Sequence, residues 1–284
     1  MPDLYVVATP IGNLEDITLR ALRALREVKL IAAEDTRKTR RLLTHYDIKT
    51  PVTSYYEHNK LSKLEYILEK LGEADVALVS EAGMPGISDP GYELIAEAAK
   101  RKIKIIPVPG ASAVTAALAV SGLPTDRFTF VGFLPSKAAA RRKALEGIVD
   151  EPGTIIVLEA PHRIPAALED ILSVLGDRRI AIGRELTKIH EEIFRGTVSQ
   201  AIKHFQEPRG EFTLVIEGRT AKEKPRMTGE IERQLEEMLR GGAKAKEAVG
   251  AVAARTGIKK KELYGAWLKM GKNETNKNTR TKTG

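Results

Sequence analysis

Two stretches bring together residue types and spacings that chemistry can use. The longer is Ser80-Glu81-Ala82-Gly83-Met84-Pro85-Gly86-Ile87-Ser88-Asp89-Pro90-Gly91. Gly83, Gly86 and Gly91 allow positive φ, or a backbone approach to a ligand with no Cβ in the way. A strand-to-helix connection usually needs about 2–6 residues, so the surplus length favours a ligand loop over a plain turn. The loop has no Lys or Arg, and the chain has neither G-x-G-x-x-G nor G-x-x-x-x-G-K-[ST], the usual phosphate cradles. A phosphate-free ligand held by backbone groups and apolar contacts suits it better. The shorter stretch is Glu34-Asp35-Thr36-Arg37, where carboxylates able to accept a proton stand beside a guanidinium able to grip an anion. The same carboxylates have a plainer use, fixing Arg37 through an ion pair.

Both stretches need strands to deliver them. Val76–Val79 is an apolar run of the kind that forms a strand buried on both faces. After the loop, Tyr92–Lys100 has Leu94, Ile95 and Ala98 on one helical face, with Asp89 placed to cap it and Pro90 at its first position. Residues 4–8 and Val28–Ala33 are two further strands, the second ending at Glu34. Between them Asp16 is the expected cap of a helix that buries Leu19, Leu22 and Leu25. Val52–Ser54 and Ile103–Val108 form strands, and Pro109-Gly110-Ala111-Ser112-Ala113 opens an Ala-rich helix to Ser121. This β-α repetition, with glycine-bearing turns on one edge, predicts an open parallel α/β domain over residues 1–121.

Gly122–Asp126 is the expected hinge to a second α/β domain, residues 122–220. Its strands are Phe128–Phe133, Thr154–Leu158, Arg179–Gly183, Glu191–Gly196 and Glu211–Glu217, with a basic helix near Arg141 and an amphipathic one through Leu175. Their alternation predicts a mixed sheet. A charged linker with Pro225 spans 219–227. Three helical patterns follow, Ile231–Leu239, Ala243–Ala254 and Lys259–Met270, the last two separated by Gly257, giving a small helical module over 226–270. Residues 271–284 lack an apolar side chain to dock and are expected to be disordered.

With 284 residues, 42% apolar and 30% charged, the chain has a soluble globular balance and is long for one core. It has no apolar run of 18 residues, and its first residues lack a charged segment before an apolar one, so neither a membrane span nor a signal peptide is expected. The absence of cysteine excludes disulfides and thiolate metal sites and leans towards the cytoplasm; the five histidines lack ligand spacing, so no metal is expected. Residues 221–284 carry 16 Lys/Arg against 8 Asp/Glu, which is the whole net charge of +8. That asymmetry fits a polyanion-binding appendage, or a solvated tail.

Seven blocks stand in an order that resembles the tetrapyrrole methylase superfamily over residues 4–218. They are Ala8-Thr-Pro-Ile-Gly-Asn13, Ala33-Glu-Asp-Thr-Arg37, Ser80 to Gly91, Pro107-Val-Pro-Gly-Ala-Ser112, Phe130-Val-Gly-Phe-Leu-Pro135, Pro161-His-Arg163 and Gly210-Glu-Phe-Thr213. Glu-Asp-Thr-Arg and Pro-His-Arg mark the branch that acts on small-subunit ribosomal RNA, apart from the porphyrin-precursor methylases. The resemblance implies two α/β domains with S-adenosyl-L-methionine in the cleft between them, a homodimer, and a cytoplasmic enzyme. The implied reaction is methyl transfer to the ribose 2′-oxygen of a cytidine in 16S ribosomal RNA, naked or within an assembled small subunit. By the same resemblance Pro10, Gly83, Met84, Pro85, Ile87, Ala111, Ser112 and Thr213 line the cofactor site, joined by Glu159 and Leu186. Glu34, Asp35, Arg37, His162 and Arg163 then face the substrate. Asp35 or Glu34, or else His162, is the candidate to take the hydroxyl proton, and Arg37 and Arg163 to grip phosphates. Two other readings stay open: a superfamily methyltransferase acting on a small molecule, which has no need of a basic appendage, and a non-catalytic ribosomal RNA-binding assembly factor.

Overall fold

The computed structural model describes residues 2–56, 60–219, 227, 229–256 and 258–280, with backbone alone at 60, 61, 230 and 271–280. Residues 1–219 form one compact unit holding two five-stranded sheets, and residues 220–284 form a second unit.

The first sheet is parallel throughout. Its strands β1 (Leu4–Val7), β2 (Leu30–Ala33), β3 (Val52–Ser54), β4 (Val76–Val79) and β5 (Ile105–Val108) lie in the order β3-β2-β4-β1-β5. Strand parity explains the unbroken apolar runs. Val7, Ile31, Ala33, Ala77 and Val79 face the side covered by α1 (Leu19–Glu27) and α2 (Thr36–His45). Leu4, Val6, Leu30, Ala32, Val76 and Leu78 face α3 (Lys60–Glu73) and α4 (Tyr92–Lys100) on the other. With both faces covered, neither parity can be polar. Parallel strands also send every carboxyl end to one edge, and the adjacency of β2, β4, β1 and β5 makes their loops neighbours there.

Two helix caps differ from the sequence expectation. Thr18, not Asp16, caps α1, its hydroxyl accepting from the Ala21 amide at 3.1 Å; Asp16 ends a short 3-10 turn capped by Asn13. Gly91, not Asp89, precedes α4, with φ 148° and no side-chain cap bond. A Cβ at Gly91 would lie 3.0 Å from the Gly86 amide nitrogen and 3.1 Å from Leu78 Cδ2, so glycine alone lets the loop fold back on β4. Asp89 is thereby left for another role.

The second sheet is mixed. Strands β6 (Phe128–Phe133), β7 (Thr154–Glu159), β8 (Arg179–Arg184), β9 (Glu192–Thr197) and β10 (Phe212–Ile216) run β6-β7-β10-β8-β9, with only β6 and β7 paired in parallel. Ile155, Val157, Ile182 and Leu214 face α6 (Ala138–Glu146), α7 (Ile164–Leu175) and α8 (Val198–His204). The sequence pattern had shown no α8. Its seven residues are too few for a helical period to stand out, and it is fixed by a capping box between Thr197 and Gln200. Arg141, on the expected basic helix, is buried and pairs with Asp170 at 2.7 Å.

The opposite face of this sheet, with Ile156, Ala181 and Val215, receives α5 (Ala113–Val120). Because α5 follows β5, its packing joins the two sheets into one core across Gly122–Asp126. In β6 the register slips between Phe130 and Gly132, where Gly132 takes φ 77°. This bulge bends the strand's end.

In the second unit, α9 (Gly229–Arg240), α10 (Ala245–Thr256) and α11 (Lys260–Arg280) pack around Leu235, Val249, Val252, Leu263 and Trp267. The helix expected to stop at Met270 runs on to Arg280, where disorder was expected. Helical hydrogen bonds are local, and after Gly271 no Gly or Pro interrupts them. The linker segment with Pro225, the separator Gly257 and residues 281–284 lie outside the described residues. No described helix is long and apolar enough to cross a membrane.

Candidate active site

The loops at the carboxyl edge of the first sheet meet the end of the second sheet around a cavity of about 380 Å³. Adjacent strands bring them together. Thr9 after β1 and Gly83 after β4 exchange two backbone hydrogen bonds, of 2.9 and 3.0 Å. A Cβ built on Gly83 would be 3.7 Å from Ile11 Cγ2 and 3.8 Å from the Ala111 carbonyl oxygen, so three glycine-bearing loops converge at this point.

Six of the expected cofactor residues line the cavity: Gly83, Met84, Ile87 and Ser112 on the first-sheet side, Glu159 and Thr213 on the other. The remaining four do not. Pro10 lines an adjoining hollow of about 360 Å³ with Lys38 and Arg41. Pro85 is buried within its own loop. Ala111 and Leu186 pack into the core between the sheets beside Ile11.

The expected substrate-side residues separate into distinct environments. Glu34 lines the cavity, and its Oε2 accepts from the Glu81 amide at 3.0 Å. Burial raises its pKa, an effect countered by the charge of Lys38 and reinforced by that of Asp35. Asp35 caps α2 instead, accepting from the amides of Arg37 at 2.8 Å and Lys38 at 3.3 Å, and pairs with the exposed Arg37 guanidinium at 3.2 Å. The bonds from Arg37 hold its pKa below the usual value, which suits an orienting group better than a base. Pro161–Arg163 forms a 3-10 turn after β7. His162 is exposed there. Arg163 turns inward to the buried Glu159 carboxylate at 2.7 Å and donates to the Leu134 carbonyl.

Asp89 is a residue that sequence reasoning missed. It lines the cavity near Glu34, and its pKa is raised to about 6 by burial and by the Glu34 charge, against a hydrogen bond from Ser80. Its neighbour Pro90 imitates the start of a capped helix, which hid it. Phe130, Phe133 and Glu211 also line the wall. The phenylalanines lay within a quoted block, but nothing in strand alternation marks a bulge that presents both.

The cavity wall carries Glu34, Glu81, Asp89, Glu159 and Glu211 and, among the described residues, no Lys or Arg. Such a wall repels phosphate and accepts a cationic ligand with apolar and polar parts. S-adenosyl-L-methionine, with its sulfonium and ammonium and no phosphate, fits that donor set. Among the described residues no cluster of His, Asp and Glu has the arrangement of a metal site.

Comparison with known proteins agrees with this geometry. Residues 3–202 match the family model of Tetrapyrrole (Corrin/Porphyrin) Methylases. A ribosomal RNA small subunit methyltransferase I from Halalkalibacterium halodurans is 47% identical, over 92% of this chain and 93% of its own. Its namesake from Thermotoga maritima is 51% identical over its whole length and 77% of this chain. Among solved structures, uroporphyrin-III-C-methyltransferase from Thermus thermophilus superposes with a TM-score of 0.55 at 18% identity, over 76% of this chain and 94% of its own. A diphthine synthase superposes at 0.57 and 19%, over 75% and 89%. These last two share the fold. The chain belongs to the ribosomal RNA small subunit methyltransferase I family of the tetrapyrrole methylases.

Proposed function

We propose that this protein methylates the ribose 2′-oxygen of a cytidine in 16S ribosomal RNA, in the cytoplasm, with S-adenosyl-L-methionine as donor. The observation that carries the proposal is a cavity whose wall bears carboxylates and, among the described residues, no Lys or Arg, bordered by a cationic helix face. Glu34 and Glu81 stand on the cavity wall, while α2, starting two residues after Glu34, presents exposed Arg37, Lys38, Arg40 and Arg41. A cationic donor suits the first surface and an RNA backbone the second. When bound, the donor supplies a methyl group on a positively charged sulfur.

The chain's own residues then have definable tasks. Gly83, Ser112 and Thr213 offer backbone and hydroxyl groups to hold the donor, and Met84, Phe130 and Phe133 exclude water around it. Fixing both reactants in line lowers the entropy cost of displacement. Arg37, Arg40 and Arg41 grip phosphates at the rim. The unit from residue 220 carries its own exposed cations for RNA, Lys259, Lys260 and Lys261 at the start of α11. The family model's match, residues 3–202, falls wholly within the first unit, which favours chemistry there and added binding in the second. A homodimer is part of the same proposal, by family resemblance.

The test is radiolabelled methyl transfer by the full chain to naked 16S ribosomal RNA and to intact small subunits side by side, with ribose mapping of the product. One modified cytidine ribose is expected. Transfer to neither substrate would refute the proposal.

A further inference from the structure

Of the carboxylates on the cavity wall, three have a cationic partner: Glu81 pairs with Lys38, Glu159 with Arg163, and Glu211 with Lys188. Glu34 takes the Glu81 amide and lies in the field of Lys38. Asp89 differs. Among the described residues it has no Lys or Arg partner, it caps no helix, and the groups acting on it are the buried Ser80 hydroxyl and the Glu34 charge.

Its position is nevertheless closely specified. Ser88 before it is held at φ 62°, a conformation that non-glycine residues seldom adopt, and Gly86 and Gly91 flank the turn at φ 79° and 148°. Backbone held in sparsely populated regions persists where the surroundings over-determine it, and it concentrates at functional sites. Ser88 Oγ also lies 2.9 Å from where a Cβ on Gly132 would be, so the loop is pressed against the bulge in β6. The strained turn thus drives a carboxylate without a cation into a cavity whose other carboxylates are engaged.

We infer that Asp89 is the group that takes the proton from the reacting ribose hydroxyl. The inference rests on the proposed methyl transfer. In the step, the ribose O–H bond breaks and its proton passes to an Asp89 carboxylate oxygen. The oxygen's electron pair forms the O–CH₃ bond as the S–CH₃ bond breaks, and that bonding pair stays on sulfur. One positive and one negative charge are both discharged, so atoms and charge balance. A carboxylate that ionises close to working pH combines availability as a base with useful proton affinity. The charged group acting on Asp89 is Glu34, just after β2, itself in the field of Lys38 on α2 and of Asp35 at its cap, and Glu81 of its own loop lines the same cavity. Across the cavity are Glu159 with Arg163, and Glu211 with Lys188.

The experiment uses the full chain, wild type and Asp89→Asn, in single-turnover transfer to small subunits from pH 5 to 9. Calorimetric titration with S-adenosyl-L-methionine and carbon-13 NMR of the Asp89 carboxyl without donor accompany it. Wild type is expected to gain rate with pH up to about 6 and then level. Asp89→Asn is expected to lose about 10²–10⁴-fold in rate and the inflection with it, while keeping donor affinity within about threefold. The NMR midpoint is expected near 6, and lower in Glu34→Gln. A variant within about threefold of wild type, an NMR midpoint in the ordinary carboxylate range, or lost donor affinity with an intact saturated rate overturns the inference. Absence of transfer by wild type overturns the functional reading itself and this inference with it, whereas an active wild type beside an active Asp89→Asn removes Asp89 alone.

Discussion

Arg163 was expected to meet RNA, and the structure gives it an inward role that can be measured. Its guanidinium pairs at 2.7 Å with Glu159, whose side chain is 0% exposed, while its own side chain is 20% exposed. Arg163→Met leaves a buried carboxylate without its cation and the Leu134 carbonyl without its donor. Breaking one side of a buried pair costs about 3–5 kcal/mol, and the partial exposure of Arg163 argues for the lower end, about 3 kcal/mol. For a unit of this size that is a fall in melting temperature of about 6–12 °C. Glu159→Gln costs less, about 1–2 kcal/mol, because one amide oxygen still accepts from the Ala160 amide, a 2.9 Å bond, and the orphaned guanidinium reaches water. The double variant leaves no unpaired buried charge and is expected to cost only about 1 kcal/mol more than Glu159→Gln, for the Leu134 carbonyl, a coupling of about 2 kcal/mol. Differential scanning calorimetry of the four proteins closes the cycle. Coupling below about 0.5 kcal/mol, or Arg163→Met melting within about 2 °C of wild type, would refute the reasoning and return Arg163 to the substrate side.

Four further outcomes follow from the geometry. Asp89 has a folded pKa of about 6 against an ordinary 3.8, so between those values the folded state keeps a proton that the unfolded state has released. Stability from this group therefore falls as pH rises through that window, and Asp89→Asn should be the more stable protein at pH 8, by about 1 kcal/mol after allowing for solvent access, and no different near pH 4; equal melting temperatures at pH 8 count against it. Gly91→Ala, strained in φ and crowded by backbone, should lose about 2–4 kcal/mol in urea unfolding, whereas Gly122→Ala, at φ 73° with nothing within 4 Å, should lose about 1. Arg37→Ala should weaken RNA binding across sequences and lower the salt slope by about one, with donor affinity unchanged by calorimetry. Truncation after Arg219 should weaken RNA binding and flatten its salt dependence further, and an unchanged slope would make the second unit a solubility device.

Much of the scaffold was legible because the physics behind it is local. Leu30 to Ala33 and Val76 to Val79 announce doubly covered strands by composition alone, and parallel strands oblige Glu34 and the Ser80–Gly91 loop to share an edge. What failed depends on contacts distant in sequence. Asp89 beside Pro90 carries the same local signal as a cap, and only the approach of Gly91 to Gly86 and Leu78 shows that the turn ends differently. Nothing local to Arg141 marks it for burial; its partner Asp170 comes from α7. Pro10 and Leu186 belong to blocks that do reach the cavity, yet each side chain takes a neighbouring surface. A motif locates a loop; rotation within the loop is set by packing.

The apolar seam of Ile11, Leu118, Leu123, Ile156 and Val215 has a kinetic consequence. It fastens the parallel sheet to the mixed one, so a clamshell opening would expose side chains that are now dry. Of the large apolar side chains on the cavity wall, Ile87 and Phe133 are the ones open to solvent, 52% and 55% exposed. Exchange of small molecules past them is therefore expected to follow rotamer flips, over picoseconds to nanoseconds, rather than the microsecond-to-millisecond swing of whole lobes.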